Sequence, residues 1–435
     1  METITVNNRK IPVIREVEIC VVGGGPGGLG ASVTAARQKR DVLLVERYGA
    51  PGGMAFWGEV TPFMYNNGKN GSLDAPVFGE WKAAILAYQP PRMRKIDSAL
   101  EAAGNFHMRI PKDAAMLAAE DLMLDAGVKL LYHHTLQGVV AENGIIRYAL
   151  FGSKSGPVAV KAECFIDSTG DGDLAFFAGC PFEFGNEDGL CQPMTLCFKM
   201  ADVDTLRMPP REEIHRRWQA AQQAGRVVNP RHNVLFFMTT VEREVHFNST
   251  RIVRKSAIDG QELSEAELEG RRQVRELIAF LRAEIPGFEE ARLQSVAHHI
   301  GVRESRRIRG RTFLTEEAFH RRARFEDAVS RVSYNIDIHN PSGAGTRLES
   351  MPPGEWYEIP YGCIVPQKCD NLLIGSRSIS VDHAIHSSMR VMPPVISLGQ
   401  AAGMAAVMSL ETGIQPPALD GVELRQRLKV FGACL

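Results

Sequence analysis

The ten residues 21–30, VVGGGPGGLG, constrain this chain more than any other feature. They set Gly23, Gly25 and Gly28 in GxGxxG spacing, after an apolar, β-branched run at 17–22 and before a run of helix formers at 29–38. A second strand-like run follows at 42–45, so the segment reads as strand, glycine turn, helix, strand. Each glycine has a separate task in such a unit: a tight turn, close backbone approach to a pyrophosphate, and close contact between helix and strand. The helix N-terminus beneath the turn offers free N–H groups and a positive dipole end to that anion. Glu46 ends the second strand at the distance where an acid accepts hydrogen bonds from an adenosine ribose, and an acid there disfavours a 2′-phosphate despite the adjacent Arg47. The unit predicts dinucleotide binding and by itself leaves NAD and FAD both open.

At 435 residues the chain is long enough for a sizeable core and two domains. Its 50 Lys and Arg nearly cancel 51 Asp and Glu, so no long-range field draws it to nucleic acid or an anionic membrane. The eight cysteines are scattered, with no CxxC, and several sit in apolar runs where a thiol packs; they read as reduced thiols of a cytoplasmic protein. The N-terminal METITVNNRK has no apolar core of a signal peptide, and no uninterrupted apolar run reaches the roughly 18 to 20 residues of a spanning helix.

Beyond the first unit, 112–126 has the pattern of an amphipathic helix stopped by Gly127, and 128–132 that of a short strand. Strands are expected at 137–141 and 145–151, joined by the turn pair Asn143-Gly144, and again at 164–167. The stretch 202–352 is rich in arginine and carries a charged helical run at 264–283, which reads as an inserted domain. A buried strand at 371–374 and a small-residue helix at 395–410, apolar nearly all round, then return to the first domain. The expected division is 1–200 and 355–435 for one domain and 201–354 for the insertion.

Seven further blocks carry a resemblance: VLLVERYGAPGGMA (42–55), FIDSTGDGDLA (165–175), QPMT (192–195), NSTR (248–251), GVRESRRI (301–308), YEIPYGCIVP (357–366) and the long block 371–406. In this order they resemble the FAD-dependent oxidoreductase family of the glutathione-reductase-like flavoprotein superfamily, related in its FAD-binding part to fumarate reductase and succinate dehydrogenase flavoproteins. The resemblance implies an α/β fold: a Rossmann-type FAD-binding domain, a parallel sheet with helices and an added β-meander, plus an inserted α+β substrate or cap domain. It implies FAD held without a covalent bond.

It further implies that the cofactor passes Gly53 and Met54, the turn at Gly170 and Asp171, and Gly375, Ser388, Val391 and Met392, in addition to Gly23, Gly25, Pro26, Gly28, Glu46 and Arg47. A helix N-terminus near Val395, behind Pro393 and Pro394, would face the pyrimidine edge of the flavin and favour negative charge on it. Gly399 and Gly403 allow close approach of a ring or of another backbone. The candidate catalytic residues are His383, Arg390 and Arg303, with Arg390 suited to an anionic group; a lone histidine is as often structural. Arg306 is a candidate contact at the site or between domains, Arg307 reads as surface on a solvated helix face, and Tyr361 as a core tyrosine. No metal site is expected.

The function expected is transfer of a hydride equivalent between a small organic substrate and flavin N5. The alternatives are a flavin-dependent reductase or hydroxylase supplied by a separate electron donor, or a flavoprotein acting on RNA. The absence of a second GxGxxG unit and of CxxC disfavours a disulfide reductase, and neutral charge disfavours an RNA partner. The expected partners are the substrate, an electron donor or acceptor, and a second copy of the chain in a homo-oligomer.

Overall fold

The computed structural model describes residues 10–91 and 110–435; the reading of the N-terminal segment falls mainly outside them. Strand β1 (Val13–Val22) enters the glycine turn, helix α1 (Pro26–Arg37) leaves it, and β2 (Val42–Val45) returns beside β1. The expected helix is α2 (Lys112–Asp125), followed by β3 (Lys129–Leu131). Then come β4 (Thr135–Glu142), β5 (Ile145–Ser153) and β6 (Gly156–Asp167). The β4–β5 turn has Asn143 and Gly144 at φ 50° and 79°, the conformation for which that pair was read. The strand order is β3-β2-β1-β6-β5-β4.

The first four of these strands run parallel, while β5 lies antiparallel to the first half of β6. β2 and the C-terminal ends of β1 and β6 are buried, as the centre of a sheet covered on both faces requires, while the edge strand β3 is partly exposed. The sheet with its helices and meander is an α/β, Rossmann-type arrangement.

A second hydrophobic core runs from Met194 to Ile300. Its sheet is built of β7 (Phe198–Ala201), β8 (Phe236–Met238), β9 (Val245–Phe247) and β10 (Arg292–Val296), in the order β8-β9-β7-β10 and antiparallel throughout. Helices α3 (Arg211–Gln223) and α4 (Gly260–Glu284) contribute Trp218 and Phe280 to this core, edge to face at 4.9 Å. Asp259 starts α4 by accepting the N–H groups of Gln261 and Glu262, so the helix begins four residues before the charged run alone suggests.

Past this unit, β11 (Arg306–Ile308) and the hairpin of β12 (Ile336–His339) and β13 (Thr346–Glu349) lead back to β14 (Leu372–Ile374), which joins the large sheet parallel to the end of β6. Two helices finish the site: α5 (His383–Met389) and α6 (Met392–Thr412).

Helix α6 starts at Met392 rather than near Val395, because proline is tolerated inside a first turn where the N–H would be unpaired anyway. It packs on α1 through glycines: a β-carbon on Gly399 would lie 2.0 Å from the Gly27 carbonyl oxygen, and one on Gly403 2.4 Å from that of Ala31. Both glycines therefore serve backbone contact, and they bring the N-termini of the two helices to one place. Among the described residues α6 alone is long and apolar enough to cross a membrane, and 94% of its most apolar stretch is buried in the protein.

Candidate active site

Both helix N-termini open onto a cavity of about 1120 Å³. At one end lie Gly23, Gly25 and Pro26 of the turn, with Glu46 and Arg47 beyond β2. Glu46 Oε2 accepts the Gly24 N–H at 2.6 Å and Oε1 the Tyr48 N–H at 2.9 Å, so the acid first fixes the turn and presents its remaining lone pairs to the cavity. Gly53 and Met54 line the same end, and beside it the Tyr48 ring stacks with His299 at 5.1 Å and lies tilted against Trp57 at 4.9 Å. Gly28 is not in the lining; its place is against the Gly23 carbonyl and Leu44, the helix-to-strand contact assigned to the third glycine.

The turn after β6 lines the cavity through Gly170 and Asp171. Buried Asp167 shapes it, accepting from Thr169 N–H, Thr169 Oγ1 and Ala175 N–H at 3.0, 2.7 and 2.9 Å. Asp171 Oδ1 accepts from Ser305 Oγ at 2.7 Å and Arg377 Nη2 at 2.8 Å, which leaves Oδ2 without a partner among the described residues. Arg306 does not reach the lining; it holds the turn from behind through the Asp171 carbonyl and Asp173, with its guanidinium 4.1 Å from the Phe176 ring centre.

Arg303, Arg390, Val391 and Met392 line the far end. Sequence reasoning missed three residues that join them: Arg231, Asp337 and His339. They sit in no motif, and only folding of the second unit and of the β12–β13 hairpin against α5 brings them together. Gln192 and Asn248, inside blocks that carried the resemblance, support this end. Gln192 Oε1 faces Arg390 Nη2 at 3.4 Å, and Asn248 Oδ1 faces Arg303 Nη2 at 3.3 Å.

The charges here are set by burial and by one another. Burial, reinforced by Arg390 and Arg231, pulls the Arg303 guanidinium down to about 9, and burial with Arg251 nearby brings Arg231 to about 10. Both stay cationic at neutral pH. Burial alone would raise the Asp337 carboxyl, but His339, Arg390 and Arg303 outweigh it and hold it below the usual carboxylate range. The histidine acts there as a neutral N–H group. Burial and Arg303 depress it to about 3, and its Nδ1 takes a hydrogen bond from Arg251 Nη2 at 3.0 Å, which puts the proton on Nε2, 3.6 Å from Asp337 Oδ2.

Besides Gly28 and Arg306, three more residues read as site members lie outside the lining. His383 Nδ1 is 2.9 Å from Glu304 Oε1, in a network with Arg307. Ser388 is fully buried, donating to the Tyr334 carbonyl at 2.6 Å and accepting from Tyr357 at 3.0 Å. Gly375 packs its carbonyl against Gly27. The surface reading of Arg307 is corrected: it is 4% exposed on β11, bound to Glu304 and to the carbonyls of Gly185 and Val381. Tyr361 is a core residue, its hydroxyl on the Pro416 carbonyl at 2.8 Å.

The expectation for the α6 N-terminus also changes. Prolines at two of its first three positions carry no N–H, so the helix brings its dipole and the single N–H of Met392 rather than a set of donors.

This donor set fits a flavin dinucleotide. A β-carbon on Gly25 would meet nothing nearer than Gly53 Cα at 3.8 Å, so the turn leaves room for a group against its backbone. The acids Glu46 and Asp171 stand where hydroxyls need acceptors, and the cavity exceeds the roughly 300–1,000 Å³ of common ligand sites.

No curated protein matches the chain by sequence. Among solved structures it is similar to a geranylgeranyl bacteriochlorophyll reductase-like protein from Thermoplasma acidophilum, at 13% identity and a TM-score of 0.44, over 96% of this chain and 83% of that one. It is similar as well to L-proline dehydrogenase from P. horikoshii, at 11% identity and a TM-score of 0.43, over 96% and 99%. The family described as FAD dependent oxidoreductase matches residues 18–428. The chain therefore belongs to the FAD dependent oxidoreductase family and is an oxidoreductase whose cofactor is FAD.

Proposed function

We propose that the enzyme moves a hydride equivalent between a small organic substrate, held at the Arg303 end of the cavity, and flavin N5. The observation that carries this reading is that one cavity runs from the dinucleotide turn at Gly25 to a wall of Arg231, Arg303 and Arg390. When bound, FAD supplies the two-electron chemistry. Gly25 would admit the pyrophosphate while Gly23 makes the tight turn against Ser168, and Glu46 and Asp171 would accept hydrogen bonds from hydroxyls. Val391, Met392 and Val395 form an apolar edge next to Arg390 that would keep water from the reacting end. The polar groups at that end hold and orient: two arginines remain cationic, Asp337 remains ionised and His339 neutral, so none is poised to exchange a proton near pH 7.

The finer points belong to the same proposal. FAD is bound without a covalent link. The wider kinship is with glutathione-reductase-like flavoproteins and, through the FAD-binding part, fumarate reductase and succinate dehydrogenase flavoproteins; the order of the motif blocks supports it. A two-domain division into 1–200 with 355–435 and 201–354 is part of the reading; a second hydrophobic core between Met194 and Ile300 favours a separate unit there, while Ile308 to Met351 pack with the first core. The partners are the substrate, a separate electron acceptor or donor and a second copy of the chain, with no nucleic acid and no membrane, for a cytoplasmic enzyme. The test is the visible spectrum of the purified protein, followed by anaerobic bleaching against alcohols, amines and acids. Flavin bands bleached by a member of the panel are expected; their absence after reconstitution with FAD would overturn the reading.

A further inference from the structure

Three guanidinium groups meet one carboxylate at the far end of the cavity. Arg231, Arg303 and Arg390 line it, and Asp337 is the acid that electrostatically faces them. A fourth arginine, Arg251, adds its charge from behind, but its donors are occupied: Nη1 holds the Gly343 and Gly345 carbonyls at 3.0 and 2.8 Å, and Nη2 holds His339. With His339 neutral, the three lining cations and Asp337 leave an excess of two positive charges in a region shielded from water. Buried cations without counter-charges are costly, and proteins keep them where a ligand neutralises them.

The hydrogen bonds point the same way. Arg303 is held by neutral acceptors, the Pro193 carbonyl and Asn248 Oδ1. Arg231 anchors its Nε on Asn233 Oδ1 at 3.0 Å, while its Nη1 has no partner although the residue is 6% exposed. Arg390 Nε and Gln192 Nε2 are buried donors without partners as well. The unpartnered atoms are all donors, so the missing ligand is an acceptor. Arginine, moreover, is the side chain whose planar fork matches a carboxylate or phosphate.

We propose that this end of the cavity recognises a small organic acid carrying at least two negative charges, bound by Arg231, Arg303 and Arg390. The inference rests on the proposed substrate position and names the substrate class. A single-charge acid would leave one cation uncompensated. The dinucleotide phosphates are assigned elsewhere, to the turn at Gly23 and Gly25, whereas Arg231 and Arg303 are presented by the second unit.

The holoprotein is titrated with malonate, succinate and inorganic phosphate, and with propionate and butyrate as single-charge comparators, at fixed ionic strength. The visible spectrum of bound flavin and thermal unfolding are both followed. At least one dianion is expected to bind saturably, about ten-fold or more tighter than the monoanion of equal chain length, which is about 1.4 kcal/mol. Arg231→Gln is expected to weaken that binding about ten-fold or more with flavin content unchanged, and Arg272→Gln, on the exposed face of α4, to leave it unchanged. If Arg231→Gln does not fold, Arg390→Gln serves in its place. Equal binding of dianions and monoanions, binding indifferent to both site variants, or loss of flavin from Arg231→Gln would each overturn the proposal. A protein that takes up no FAD yet prefers dianions would sink the flavin reading and leave this one standing. A flavin-loaded protein without that preference would do the reverse.

Discussion

Gly25 and Gly28 stand three residues apart in one turn, yet a β-carbon would make only an ordinary contact at the first, with Gly53 Cα at 3.8 Å, and meet the Gly23 carbonyl oxygen at 1.9 Å at the second. The two therefore fail differently when filled. Gly25 has φ −75°, open to any residue, so Gly25→Leu should fold and place its side chain where the pyrophosphate would lie. Gly28→Leu should drive α1 off β1 and compromise folding. Visible absorbance per protein and thermal unfolding separate the two, and stoichiometric FAD in a folded Gly25→Leu protein would contradict the placement of the cofactor.

The glycine turn, the Asn143-Gly144 hairpin and the buried helix α6 were legible because each is local: a period, a turn pair, a run of small residues. The dense charges of 303–307 misled for the same reason. Read locally they are a solvated helix face, but Arg306 and Arg307 lie on strand β11, and their partners Asp173, Gly185 and Val381 come from distant segments. Arg231, Asp337 and His339 left no local signal, since a site assembled from loops and a hairpin of separate units has no spacing to read.

Glu304 joins Arg307, His383 and the Gln192 N–H in one buried network. Removing the carboxylate strands a buried guanidinium, so Glu304→Ala should cost about 3–5 kcal/mol. His383→Asn should cost less, because the imidazole is only one of three partners. If His383 is a positioning residue outside the cavity, that variant should leave anaerobic flavin reduction by substrate unaltered. A lost reduction step with normal stability would return His383 to the reacting groups.

Arg390 lies in the lining, next to Val391 and Met392, with Nη2 3.4 Å from both Gln192 Oε1 and the Asp337 carbonyl. A hydrogen bond to a charged group is worth about 1.5–3 kcal/mol, or about 10- to 150-fold. Arg390→Ala should therefore slow flavin reduction by a factor in that range while FAD content changes little. Arg390→Lys should recover only part, since an ammonium cannot reproduce the planar fork. Stopped-flow reduction of the two variants beside the parent enzyme decides it; equal rates would remove Arg390 from the site.

His246 offers a test through pH rather than through the cofactor. It is buried on β9 with neither ring nitrogen partnered, and burial together with the charge of Lys199 depresses it to about 3. In the unfolded chain it titrates near about 6.5. A base whose folded value is lowered contributes its stability fully above the unfolded value and loses it as pH falls, because the unfolded chain then binds the proton that the folded one refuses. Between pH 7 and pH 5 that loss is about 2 kcal/mol. His246→Phe keeps a ring in the space beside Phe237 and has no proton to bind, so its urea stability should fall by about 2 kcal/mol less than that of the parent over the same interval. The buried His339 and His386 contribute alike to both proteins and cancel from the difference. Parallel stability curves for the two would mean that His246 titrates normally in the folded state, and hence that water reaches its ring.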